Sequence, residues 1–143
     1  MTSLRTSLRL LTSTLAMSLA MVSAWAEQSA LALELNGAQA SDKGCRLTFV
    51  VSNNLGADLS KAAFEIALFN ETGVVDRLTV LDFKELPAGK TKVTRFDLAG
   101  TDCAKVSRVL INSATECAGA AVEPNACMRK LKTDTKTGIA FGV

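Results

Sequence analysis

Histidine and tyrosine are absent from this chain of 143 residues, tryptophan occurs once and proline twice. Without histidine there is no Ser/His/Asp or Cys/His nucleophilic arrangement, no HExxH-type zinc site and no imidazole acid or base. Neither sign of charge dominates, with 16 Lys+Arg against 14 Asp+Glu. The chain therefore lacks the strong basic excess expected of a nucleic-acid or anionic-membrane binder. The hydrophobic share of 48% is that of an ordinary globular domain, which sets aside disorder, collagen and a multi-domain machine.

The chain opens with an address. Arg5 and Arg9 lie in a start free of acidic residues, and an apolar run from Leu10 to Val22 follows, broken only by Thr12, Ser13, Thr14 and Ser18. Ala24-Trp25-Ala26 then supplies a small-x-small site. This is the pattern of a secretory signal peptide over residues 1–26, cleaved before Glu27. The apolar run falls short of the ~20 residues that span hydrocarbon. No cysteine stands near the site to carry a lipid, and Arg5 and Arg9 are not adjacent as twin-arginine export requires. Removal takes away two of the sixteen basic residues and none of the acidic ones, leaving 27–143 with no net charge. The expected location is periplasmic or secreted, with no membrane span in the mature form.

Cys45, Cys103, Cys117 and Cys127 all follow the cleavage site. An even count in an exported chain implies two disulfides. A zinc site of four thiolates fits poorly, because such sites come as two close pairs and here only Cys117 and Cys127 are moderately near. A catalytic thiol has no imidazole partner. No cofactor or metal is implied.

After the leader, β-branched and aromatic runs recur about every ten residues between Gly, Asn and Pro, and helical periodicity is missing. Leu31, Leu33 and Leu35 alternate with Ala32 and Glu34 until Asn36-Gly37. Cys45, Leu47, Phe49 and Val51 alternate with Arg46, Thr48 and Val50, and Phe64, Ile66 and Leu68 with Glu65 and Ala67. Asn70-Glu71-Thr72-Gly73 predicts a tight hairpin turn into a fourth strand, Val74 to Phe83, and Leu86-Pro87-Ala88-Gly89 predicts the next turn. Thr94, Phe96 and Leu98 point inward on the fifth strand. Lys105 to Asn112, apolar on both faces, reads as a central sixth strand. Ala120 to Val122 and Met128 to Leu131 read as pieces of a last strand, and residues 130–143 as a loose or edge-pairing tail. Seven such strands predict an all-β, immunoglobulin-like sandwich in one domain over 27–143. That arrangement places Cys45 near Cys103 on facing sheets and lets Cys117 and Cys127 close the corner between the sixth and last strands.

Asp82 and Glu85, with Glu71 and Asp76 beside the hairpin, are the nearest approach to the carboxylate pair of a glycoside hydrolase. Such an enzyme needs a cleft and an aromatic platform. Trp25 leaves with the signal peptide, and alternation spends most of Phe49, Phe64, Phe69, Phe83, Phe96 and Phe141 on the core. Lys84, Lys90, Lys92 and Arg95 form one basic stretch, and Arg129, Lys130, Lys132 and Lys136 another. Edge-strand lysine as a guard against sheet aggregation is the favoured reading over an anion-binding patch. Asn70-Glu71-Thr72 matches a glycosylation acceptor.

The segments Cys45-Arg46-Leu47-Thr48-Phe49-Val50-Val51-Ser52-Asn53-Asn54-Leu55-Gly56, Phe64 to Phe69, Gly73-Val74-Val75, Leu86-Pro87-Ala88-Gly89-Lys90 and Val109-Leu110-Ile111-Asn112 together resemble a family of small exported alphaproteobacterial proteins. The pattern also resembles FxLYD-type immunoglobulin-like envelope domains, with Phe69-Asn70 where that signature has Tyr-Asp. Both resemblances imply an exported sandwich, and neither brings an active site, so no catalytic residue is assigned.

The expected function is a non-enzymatic periplasmic binding or assembly module for an unknown envelope or extracellular protein. A small carboxylate-based hydrolase acting on an envelope polymer or sugar, and an inhibitor protein, are the other two readings. The cleavage pattern makes a first prediction: the intact mass of the purified exported protein corresponds to Glu27–Val143. Retention of residues 1–26 in the exported form reverses the localisation.

Overall fold

The structure, a computed structural model, describes residues 28–143. The expected signal peptide lies outside the described residues. Eight strands form two sheets: β1 (Ala30–Ala40), β2 (Gly44–Asn54), β3 (Lys61–Asn70), β4 (Val75–Asp82), β5 (Thr91–Ala99), β6 (Val106–Ala118), β7 (Leu131–Thr135) and β8 (Ala140–Gly142). One sheet has the order β5-β2-β1-β7 and the other β4-β3-β6-β8. A 3-10 turn at Cys103–Lys105 leads into β6, and a single helical turn, α1 (Ala126–Arg129), precedes β7. No helix among the described residues is long and apolar enough to cross a membrane.

Alternation decides which side chains meet between the sheets. Leu31, Leu33 and Leu35 of β1, Cys45, Leu47, Phe49 and Val51 of β2, and Phe64, Ile66 and Leu68 of β3 are all buried. Their period of two is the strand pleat itself. Ala62 shares that inward face, and β3 also buries outward Ala63 and Ala67, because it lies second in its sheet with a neighbour on each side. β6 also has neighbours on both sides. Val109 and Ile111 enter the core while Leu110 is half-buried on the outer face.

The turns follow the expected chemistry. Asn70 Oδ1 accepts from the Thr72 and Val74 amides at 3.0 Å each, and Gly73 takes φ 78°, where a side chain is strained. Asn36-Gly37, by contrast, does not end the first strand. The ladder with β2 slips by one residue between Leu35 and Gly37 and continues to Ala40, the mark of a β-bulge that bends a strand without breaking its pairing.

The last quarter departs most from expectation. Ala120 to Val122 is a turn, and Met128 belongs to α1. The tail is ordered into two strands, an eighth beyond the seven expected. β7 pairs parallel with β1 and β8 parallel with β6, so the chain end closes one side of both sheets. Ile139, between them, is buried.

Two disulfides staple this arrangement. Cys45 and Cys103 bond across the sheets with Cα atoms 5.0 Å apart, and Cys117 of β6 bonds Cys127 of α1 at 5.9 Å. Cysteines 58 positions apart enclose a loop worth roughly 4 kcal/mol in the chain-entropy description, and the shorter loop roughly 3 kcal/mol. At mid-sandwich the Phe49 ring lies 5.7 Å from Phe83, 6.0 Å from Phe96 and 5.6 Å from Phe141, which joins β2, β5, β8 and the segment after β4. The Phe83 and Phe96 contacts are edge-to-face, a geometry that adds about 0.5–1.5 kcal/mol per pair to simple burial.

Asn53, also fully buried, ends the same face of β2. Its Nδ2 donates to the Ala57 carbonyl at 2.9 Å and the Leu86 carbonyl at 2.7 Å, and its Oδ1 accepts from the Leu55 amide at 3.0 Å. One amide thus ties the β2–β3 loop to the β4–β5 crossover. Removing it strands these backbone groups without partners. Asn53→Ala is therefore expected to cost roughly 2–4 kcal/mol, against less than about 0.5 kcal/mol for exposed Asn54→Ala. Thr94 presents the opposite case: its Oγ1 is buried with no hydrogen-bond partner, so Thr94→Val is expected to stabilise by about 1 kcal/mol. Urea unfolding of the three variants checks all of this.

Candidate functional site

Four strands end the sheets, and they are finished differently. β5 turns Arg95 and Asp97 outward beside a single exposed valine, Val93 at 59%, and carries Lys92, β7 exposes Lys132 and Asp134, and β8 is three residues long. Charge and shortness are the usual protections of an unpaired edge. β4 has neither over its middle. On its outward face Leu78 is 56% exposed and Val80 51%, with Asp76 and Asp82 at the ends, while Arg77 turns to the other face and donates to the Ala99 carbonyl. Because Phe83 gives its amide to the Ala62 carbonyl, the two-residue alternation of an antiparallel ladder directs the N–H and C=O of Leu78 and Val80 away from β3. An apolar face and an open row of backbone groups coincide on one strand.

The face continues across its sheet. Register sets Leu78 beside Ala67 of β3 and Ala67 beside Leu110 of β6. One row further Phe69 lies beside Val75 and Arg108, whose guanidinium stands 5.5 Å from the ring centroid. Alanine at the centre keeps this surface flat. Toward the other end the same register brings Asp82, Ala63 and Glu116 into a row. There Lys61 Nζ lies 2.8 Å from Glu116 and 3.8 Å from Asp82, and Lys84 Nζ lies 2.8 Å from Asp82.

Those contacts decide what the expected carboxylates do. The Lys84 ammonium and amide, both bonded to Asp82, hold its carboxyl below the ordinary carboxylate range. A group so held is a poor proton donor at neutral pH. Its bonds also stabilise the left-handed turn of Lys84, φ 62°. Glu85 is exposed and serves through its carbonyl, 3.2 Å from Lys92 Nζ. Glu71 sits at the hairpin tip, separated from Glu85 by the whole of β4, roughly 25 Å of extended chain. Glu71 does not converge with Asp82 and Glu85. A different pair does: parallel register sets Glu34 of β1 beside Asp134 of β7, with Lys136 Nζ 3.7 Å from one and 3.0 Å from the other. The Lys136 bond lowers the Asp134 pKa and raises that of the lysine. Sequence reasoning missed this pair because its members lie far apart in the chain and meet only once β7 joins β1. They border a shallow depression of ≈ 280 Å³ over Ala32, Val50 and Thr133.

No known family, curated protein or solved structure matches the chain. Its chemistry is therefore read from its own residues. The basic stretches are dispersed: Lys84 serves Asp82, Lys92 donates to the Phe83 carbonyl at 2.9 Å, Arg129 pairs with Glu123 at 3.3 Å and Lys136 bridges two acids. Arg129 and Glu123 border a second depression of ≈ 280 Å³ with Leu55 and Val122. Among the described residues no three His, Cys, Asp or Glu side chains gather in the manner of metal ligands.

Acid stability checks the ion pairs. Arg46 bonds Asp97 through two nitrogens, at 2.9 and 3.2 Å, and holds its carboxyl below the ordinary range, as Lys84 does for Asp82. A carboxyl depressed in the folded state contributes stability above its unfolded value, lost as pH falls through the folded one. Urea midpoints are accordingly expected to drop below about pH 4, and less steeply in Asp97→Asn than in the parent.

Proposed function

We propose that the chain is an exported, non-enzymatic binding or assembly module, cleaved after Ala26 and working in the periplasm or outside the cell, that takes its partner on the β4 edge. The observation that carries this reading is the coincidence on β4 of two successive outward apolar residues, Leu78 and Val80, with unpaired backbone groups, while β7 is guarded by charge and on β5 a single outward valine, Val93, stands beside outward Arg95 and Asp97. An edge of that kind recognises an extended segment by strand addition, with main-chain hydrogen bonds giving affinity and alternate apolar side chains giving selectivity. Two disulfides support the exported setting, as does the leader pattern of residues 1–26. The partner class is a protein with an extended apolar segment; no cofactor, metal or nucleic acid enters the reading.

Capture from an envelope fraction tests it, using Glu27–Val143 beside its Val80→Lys and Asp82→Asn variants. A protein retained by the parent and by Asp82→Asn but lost with Val80→Lys is the expected result. Equal retention by Val80→Lys removes β4 from the reading. Turnover of an envelope polymer by the parent, abolished in Asp82→Asn, replaces the module by a carboxylate enzyme.

A further inference from the structure

Resting on that reading, we propose that the strand added to β4 is β4 of a second copy of this chain, antiparallel about a two-fold axis through Thr79. The outward face of β4 is the same in kind from either end: Asp76, Leu78, Val80, Asp82. An isologous interface requires that self-complementarity. With the axis at Thr79, Leu78 of each copy faces Val80 of the other. The freed N–H and C=O of both residues then meet carbonyls and amides of the second strand. Moving the axis to Leu78 sets Asp76 against an aliphatic Val80, and moving it to Val80 sets Asp82 against Leu78. Each alternative desolvates a carboxylate on an apolar neighbour. At the ends of the preferred register Asp76 faces the second copy's Asp82, whose charge is already answered by ammonium groups at 2.8 and 3.8 Å. The two sheets become one of eight strands, and the apolar surface of Leu78, Val80, Ala67 and Leu110 becomes continuous across the axis.

Thr79 gives the register a direct readout. It faces its own counterpart at a position without hydrogen bonds between the two, where antiparallel Cα atoms lie about 4.5 Å apart, within disulfide reach. Sedimentation velocity of Glu27–Val143 up to about 100 µM is expected to show a reversible dimer, weak because the interface is one strand wide. Leu78→Lys is expected to weaken it at least about tenfold while melting like the parent. Under mild oxidation Thr79→Cys is expected to cross-link faster than Leu78→Cys or Val80→Cys. A monomer at every concentration, a dimer that survives Leu78→Lys, or faster cross-linking at position 78 or 80 overturns the proposal. A monomeric parent that still loses its captured protein on Val80→Lys sinks the self-pairing alone and leaves the module standing.

Discussion

The inward face of β2 is the constraint on which the rest of this sandwich hangs. At intervals of four residues it presents Cys45, Phe49 and Asn53, each fully buried, and each is a different kind of bond. Cys45 holds the entry to β6 covalently. Phe49 gathers aromatic rings from both sheets. Asn53 satisfies backbone groups of two loops that cross between the sheets. Spacing by four keeps all three on one side of a strand, so a single element sets the separation of the sheets at both ends and in the middle.

With the interior held from β2, the margins are free to differ. The side where β4 and β5 run along opposite sheets is spanned by two long cations rather than by a strand. Arg77 Nη1 reaches the Ala99 carbonyl at 2.7 Å, and Lys92 Nζ reaches the Phe83 carbonyl at 2.9 Å. Charge-assisted bonds to carbonyls secure that side without covering the β4 edge. On the opposite side β7 and β8 finish both sheets. On that side both β4 and β5 keep an edge paired on one side only, and on β4 two successive outward residues, Leu78 and Val80, are apolar and exposed. An exposed edge of this kind costs solubility unless something pairs with it, which is the physical basis for reading it as an interface.

Much of the fold was legible before any coordinates. The inward residues of β1, β2, β3 and β5, the hairpin at Asn70 and the turn at Pro87 all follow from alternation and turn chemistry, which are local. The same logic failed where pairing is not local. The bulge at Asn36 depends on β2 continuing alongside, so the dipeptide read as an end. Leu131–Thr135 has a pattern any short strand shares, and nothing in it announces parallel pairing with β1. Nothing local marked Asn53 as a core residue, because its partners belong to two separate loops. For the candidate site, Asp82 and Glu85 were visible as neighbours in sequence, while the exposure of Leu78 and Val80 was not, since an apolar residue in a strand looks the same whether its neighbour is a core or water.

What the sequence by itself determined is what short-range physics controls: strand class and length, facing parity, turn positions, the absence of imidazole chemistry, and an even set of cysteines. Tertiary structure alone decided which edges stay open, which carboxylates share a lysine and where the tail docks. Those outcomes depend on register between strands distant in the chain. A shift of one residue would exchange the two faces of a strand, so the sequence constrains each strand strongly and their assembly only through the core they build together.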